Sequence, residues 1–345
     1  MKIIVFLFII SLFVQQSKAQ NPFSEAQPVQ LQTVPLDNVN HYFNTIYRAG
    51  IVFQGSYLII TDVSNRPSMH VLEIHSPGNV SYYGGFGDEG RGPENYLSPS
   101  DVVSSSETLF YVYDAGNRKL VPYNSSFEVQ QREIITIQSA GLPVSIHADD
   151  QMFFLAGVTP NSRFEVMNKE GTVIDTFGEL ETIGSNIPPR LNALAWHSYS
   201  AYSPSHQRIA LFSRSADKID LFCSKSGELL NSKYNSDSGT PDVSVRSASS
   251  GSRLERGRNA KTAFIWAASN DETIYALYSG KRDDEEYNNY GDIIFTFDWD
   301  LNLTGFYQLD HQSFSIEADT DGNLYSVYTE MGEIRFIEKS SLNMQ

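Results

Sequence analysis

The chain has 345 residues, 41% of them hydrophobic and including Phe 21, Tyr 19 and Trp 3, which is enough for a sizeable core. Its formal charge of -16 sets it against phosphate backbones and anionic lipid, which excludes a general nucleic-acid or membrane-surface binder. Cys223 is the single cysteine, so no intrachain disulfide forms and stability rests on packing.

Taken in chain order, Lys2, an apolar run over residues 3–14 and then Ser17, Lys18 and Ala19 have the layout of a secretory leader. Cleavage is predicted between Ala19 and Gln20, leaving residues 20–345 as a single exported domain in the periplasm or outside the cell. The run is too short to span a membrane. Loss of Lys2 and Lys18 with the leader takes the charge to -18. Residues 29–36 then have the composition of a strand.

From residue 41 onward one unit recurs. An apolar residue, four turn residues, a spacer and another apolar residue appear as Ile74-HSPG-N-Val80, Tyr123-NSSF-E-Val129, Met167-NKEG-T-Val173, Cys223-SKSG-E-Leu229 and Phe297-DWDL-N-Leu303. A sixth copy starts at Ile337-EKSS as the chain ends. Ahead of each lies a tight polar turn and a strand opening at Leu58, Leu109, Met152, Ile209, Ile274 or Leu324. Two markers in constant order at blade-sized spacing predict an all-β chain folded as a six-bladed β-propeller. The blades are expected near residues 41–87, 97–136, 143–178, 194–234, 262–310 and 313–340. The last lacks an outer strand, so residues 29–36 are predicted to close the ring by pairing with its edge.

Residues 84–101, GGFGDEGRGPENYLSPSD, followed by Tyr113, Asp114, Asn117 and Arg118, closely resemble the interblade loop of exported bacterial six-bladed propellers of TolB-like fold. The resemblance implies the fold. It does not imply an activity, because few members have one assigned. Many members are lipoproteins with a cysteine at the cleavage site, where this chain has Gln20.

Chemical motifs are sparse. The glycine-rich loop lacks the Gly-Lys-Ser/Thr ending of a phosphate cradle, and Gly92 runs into Pro93 and Glu94 instead. Asp319, Asp321, Gly322 and Asn323 fall where every blade has a tight turn, so a turn is expected there rather than a calcium loop. No nucleophile elbow or paired metal-binding histidines occur, and no cofactor is expected.

Connections between blades share one face with those joining the second and third strands. That face carries the long loops, over residues 88–96, 179–192, 235–261 and 280–291, and is the predicted binding face. Candidate ligand-binding residues there are Arg91, Glu94, Arg190, Trp196, His197, Arg253, Arg256 and Arg258. Arginines gathered in an acidic chain suit carboxylates or sulfates. The expected function is recognition of an envelope or extracellular protein or glycan. The alternative is a hydrolase or lyase with its site at the central channel mouth. The innermost strands, among them PSDVV, PVSIH, AFIWA and SFSIE, show no repeated ligand set to support that alternative.

Overall fold

The computed structural model describes residues 27–342 apart from 65, 107–108, 185–186, 236, 249–250 and 329–331, so the expected leader lies outside the described residues. Six antiparallel sheets follow one another in chain order, each led by an innermost strand. These innermost strands are Ile46–Val52, Pro99–Ser104, Leu142–Ala148, Ser198–Ser203, Phe264–Ser269 and Ser315–Ala318. Each neighbours the next, and the sixth neighbours the first, so the ring is closed.

Alternation along the strands explains the closure. In blade 1, Ile59 and Val71 point into the cluster shared with blade 2, while Leu58, Ile60 and Leu72 point into the cluster shared with blade 6. The six apolar clusters occupy the six blade-to-blade interfaces, and Phe110, Phe153, Phe164, Phe264 and Tyr325 are among their fully buried members. A blade is apolar on both sides, so no interface can be left open without exposing a core.

The recurring turn joins the third and fourth strands of a blade. Ile74 faces Val80, Tyr123 faces Val129, Met167 faces Val173 and Phe297 faces Leu303, as the spacing predicts. In blade 4 a bulge shifts the pairing by one residue, so Leu229 faces Phe222, and Cys223 is half-buried at the strand end. The fourth turn residue is left-handed every time: Gly78, Gly171 and Gly227, but also Phe127 and Leu301. That backbone favours glycine. Leu301 adopts it because its side chain is buried in the interface between blades 4 and 5.

Blade 6 contributes three strands of its own, Ser315–Ala318, Leu324–Tyr328 and Glu333–Ile337. The N-terminal segment closes the ring differently from the simple expectation. Val34–Pro35 pairs antiparallel with Glu333–Ile337 as the missing outer strand, whereas Val29–Leu31 lies parallel to Leu303–Ser313 as a fifth strand of blade 5. Thr33 between them is the clasp. Its hydroxyl donates to Asp310 Oδ1 at 2.7 Å and accepts from Arg335 Nε at 2.5 Å, tying the segment to both blades at once. Leu31 and Leu36 are then buried in successive interfaces. The last turn copy does not form, because Lys339–Leu342 is a short helix that buries Leu342.

A second departure concerns residues 235–261. In place of an irregular loop, Val243–Ala248 and Gly251–Arg256 form a hairpin, with Val245 opposite Leu254 and Arg246 opposite Arg253. On the opposite face the turns are tight except in blade 2, where a short 3-10 helix, Gln131–Glu133, widens the connection.

Removing residues 20–36 strips the edges of two blades and two buried leucines, each worth about 1.5–3 kcal/mol. The truncated protein is expected to melt at much lower temperature and to associate through the bared edges. A native melting temperature with a monomeric sedimentation profile would contradict this closure.

Candidate functional site in the propeller lumen

Bulges prepare the axis. The innermost strands of blades 1, 2, 3 and 5 each slip register just before Arg48, Asp101, Ser145 and Trp266. A bulge re-aims the side chain that follows it. Arg48, Asp101, Ser200, Trp266 and Glu317 are each the third residue of their innermost strands. Closure of the ring therefore gathers five different residue types from five blades at one level, and blade 3 adds Ser145 and His147.

Arg48 is 2% exposed, and its guanidinium packs 4.0 Å from the Trp266 ring and 4.3 Å from the Phe314 ring. Tyr47 and Tyr199 complete an aromatic surround at 4.8 and 5.9 Å. Nη1 donates to Tyr47 O at 3.3 Å, while Nε has no partner in the protein. Asp101 accepts from the Ile146 and Val102 amides at 2.9 and 3.0 Å. Glu317 Oε1 accepts from Trp266 Nε1 at 3.1 Å. His147 Nε2 lies 2.9 Å from Ser200 Oγ, and the Ser200 amide donates to Ser145 Oγ at 3.0 Å.

Burial dominates the electrostatics. It pushes Asp101 up to about 7, against the Ile146 amide bond and the Arg48 charge, which pull the other way. Burial, reinforced by the Asp101 charge, raises Glu317 well above the carboxylate range despite Arg48. His147 is pushed down to about 4 by burial and is neutral. Asp101, Ser145, His147, Ser200, Trp266 and Glu317 line a cavity of about 400 Å³, together with Gly50, Ser104, Ala148, Ala268 and Ala318. Its rim includes Gln54, Ser105, Ser106 and Pro204, which belong to the tight turns between first and second strands, so the cavity opens on the face opposite the long loops. Among the described residues, no group of three or more His, Cys, Asp or Glu is arranged to hold a metal ion.

The residues singled out from sequence lie elsewhere. Arg91 is exposed, and Glu94 accepts a hydrogen bond from Gln131 Nε2. Their loop is organised from beneath by Lys119, whose ammonium donates to Gly92, Pro93 and Asn95 carbonyls at 2.8, 2.5 and 2.7 Å. Asp114 accepts from the Leu97, Ser98 and Gly116 amides and Asn117 Nδ2 donates to Gly90 O at 3.0 Å, so these two residues of the motif anchor the loop, while Arg118 donates to the Ser139 and Gly141 carbonyls ahead of blade 3. Arg190 is exposed on the short helix Pro189–Ala195. Trp196 is buried, donates to Glu181 O at 2.7 Å and lies under Arg163 and Lys218. His197 is half-buried near Tyr199 and is pushed down to about 3 by burial and by Arg214 and Arg48.

The arginine cluster is largely neutralised. Arg253 pairs with Glu255 at 2.9 Å, as does Arg246 at 3.3 Å, and Arg256 pairs with Asp283 at 2.6 Å. Arg258 is exposed, and its carbonyl accepts from Arg282. Sequence reading passed over Asp101, His147, Trp266 and Glu317 because it sought one ligand type repeated around the ring. The signal was present as one unusual polar or aromatic residue in each innermost strand.

Glu317 binds its proton more tightly folded than unfolded. The stability this provides is complete below the ordinary glutamate value of 4.5 and is lost as pH rises through the folded value. Glu317→Gln keeps the Trp266 bond and cannot ionise. It is expected to melt higher than the parent at about pH 8 and equally at about pH 4; an equal loss at both would show that the carboxyl is not held protonated.

Residues 23–321 match the family described as TolB-like 6-blade propeller-like. A comparison with curated proteins finds no match. Among solved structures, Kuenenia stuttgartiensis hydrazine synthase is similar at a TM-score of 0.50 and 10% identity, over 86% of this chain and 96% of that chain. At that identity the likeness is one of architecture alone. With the blade order, the closure and the family match in agreement, the chain belongs to the TolB-like six-bladed propeller family.

Proposed function

We propose that this propeller is an exported binding or scaffolding module that recognises an envelope or extracellular protein or glycan through its long-loop face. The observation that carries the reading is the distribution of exposed apolar side chains. Tyr42, Val63, Leu97, Leu194 and Tyr287 are each more than a third exposed, and they come from five different connections of that face. On the opposite face the exposed large hydrophobic side chains at the recurring turns, Leu229 and Leu303 among the described residues, come from blades 4 and 5 alone, so fewer of its connections are apolar. Apolar groups set among polar loops characterise recognition surfaces.

The loops are also tied to one another, which limits the ordering cost of binding. Arg256 joins the hairpin to residue 283, and Arg214 Nη2 donates to Asn289 at 2.5 Å while Nη1 donates to Tyr199. Arg91, Arg190 and Arg258 remain exposed for acidic groups on a partner. Arg253 and Arg256 could turn to a partner only by exchanging their present carboxylates.

A second reading, a hydrolase or lyase at the channel mouth, draws on Asp101. A carboxyl pushed up to about 7 suits acid–base chemistry. Both of its oxygens are already engaged by backbone amides, which favours the binding reading.

Leu194→Glu combined with Tyr287→Glu is expected to abolish cross-linking to native partners, with the melting temperature preserved because both side chains are exposed. Arg253, Arg256 and Arg258 replaced together by Ser should cost no more than about 1 kcal/mol of stability per exposed pair lost. The triple variant should also weaken salt-sensitive binding to acidic partners. Unchanged cross-linking in both variants would remove this face from recognition.

A further inference from the structure

We infer that the lumen is a second, separate binding site, built for a small neutral polyhydroxylated molecule of monosaccharide size that enters from the tight-turn face. Its volume of about 400 Å³ lies within the range of small-molecule pockets, roughly 300–1,000 Å³. The site is distinct from the proposed recognition face because its rim is made by turns on the other side of the ring.

The lining selects the ligand class. Hydroxyls from Ser104, Ser145 and Ser200 can donate and accept, and the Glu317 carboxyl, whose Oε1 accepts from Trp266 Nε1, also lines the cavity. Ala148, Ala268 and Ala318 supply small apolar walls between these polar points. Alternating apolar faces and hydroxyl-matching polar atoms fit a sugar-like ring, which presents C–H faces and a belt of hydroxyls.

Charge argues against ionic ligands. Arg48 is a fixed cation, and its field acts on Asp101 from blade 2, Glu317 from blade 6 and His197 from blade 4. An amine would need an ionised carboxylate at the wall, but burial disfavours the charged form of both carboxyls and the Ile146 and Val102 amides already occupy both oxygens of Asp101. Arg48 is not part of the cavity lining, so a carboxylate finds no cationic side chain at the wall to pair with. A neutral hydroxyl can satisfy Glu317 in either protonation state.

The test is calorimetric titration of the full exported chain with glucose, galactose, mannose and N-acetylglucosamine, alongside spermidine and glucuronate. At least one neutral sugar is expected to bind with Kd of about 1 mM or tighter and to outcompete both charged probes. Ser104→Trp fills the mouth from an exposed position and should weaken that binding about tenfold or more, without lowering the melting temperature. Glu317→Ala should also weaken that binding about tenfold, with a lower melting temperature because Trp266 Nε1 loses its acceptor, whereas Glu317→Gln, which keeps a donor and an acceptor, should stay within about threefold of the parent. Silence with all the neutral sugars, tighter binding of spermidine or glucuronate, or equal sugar binding by parent and Ser104→Trp would each overturn the inference. None of these outcomes bears on cross-linking at the long-loop face.

Discussion

A blade with apolar side chains on both of its faces cannot stand at the end of a row. Each sheet must be covered on each side, and for six twisted sheets the solution is a closed ring in which the sixth covers the first. Here the clasp at Thr33 holds that ring shut, linking Asp310 of blade 5 to Arg335 of blade 6 through one hydroxyl. Burial works against the Asp310 charge, but the Thr33 and His311 hydrogen bonds and Arg335 hold its carboxyl below the usual range. The carboxylate is therefore charged and the clasp intact at neutral pH.

Closure has a chemical consequence at the axis. Residues separated by some fifty positions in the chain become neighbours because each occupies the same level of its innermost strand. Arg48 and Glu317 lie near the two ends of the chain, yet the arginine charge opposes the rise in the Glu317 pKa. The bulges before Arg48, Asp101, Ser145 and Trp266 give up regular pairing at these points. In return they turn polar side chains inward without moving the strands that build the interfaces.

The two faces of the ring divide the remaining work. Loops between blades have no fixed length, so one face accumulates a helix, a hairpin and exposed Leu194 and Tyr287. The opposite face is constrained by hairpins whose first residue caps its own turn, as Asn124, Asn168 and Asp298 do by accepting amides two to four residues on. That uniformity leaves the lumen mouth open. Two surfaces of different character thus come from a single repeat, one broad and partly apolar, the other narrow, polar and deep.

The fold was legible in sequence because its determinants are local. The pairs Ile74 with Val80 and Met167 with Val173 are set by turn chemistry within six residues, and six copies of that chemistry specify six blades. The arginines of residues 246–258 were visible too, but their pairing with Glu255 and Asp283 depends on hairpin register and on a loop from another blade. The splitting of residues 29–36 between two blades was equally hidden, since it turns on Thr33 meeting partners almost three hundred positions away. The lumen was decided by tertiary structure alone. Asp101, His147, Trp266 and Glu317 each look ordinary within a strand, and their protonation and their common cavity exist only once ring closure has removed them from water.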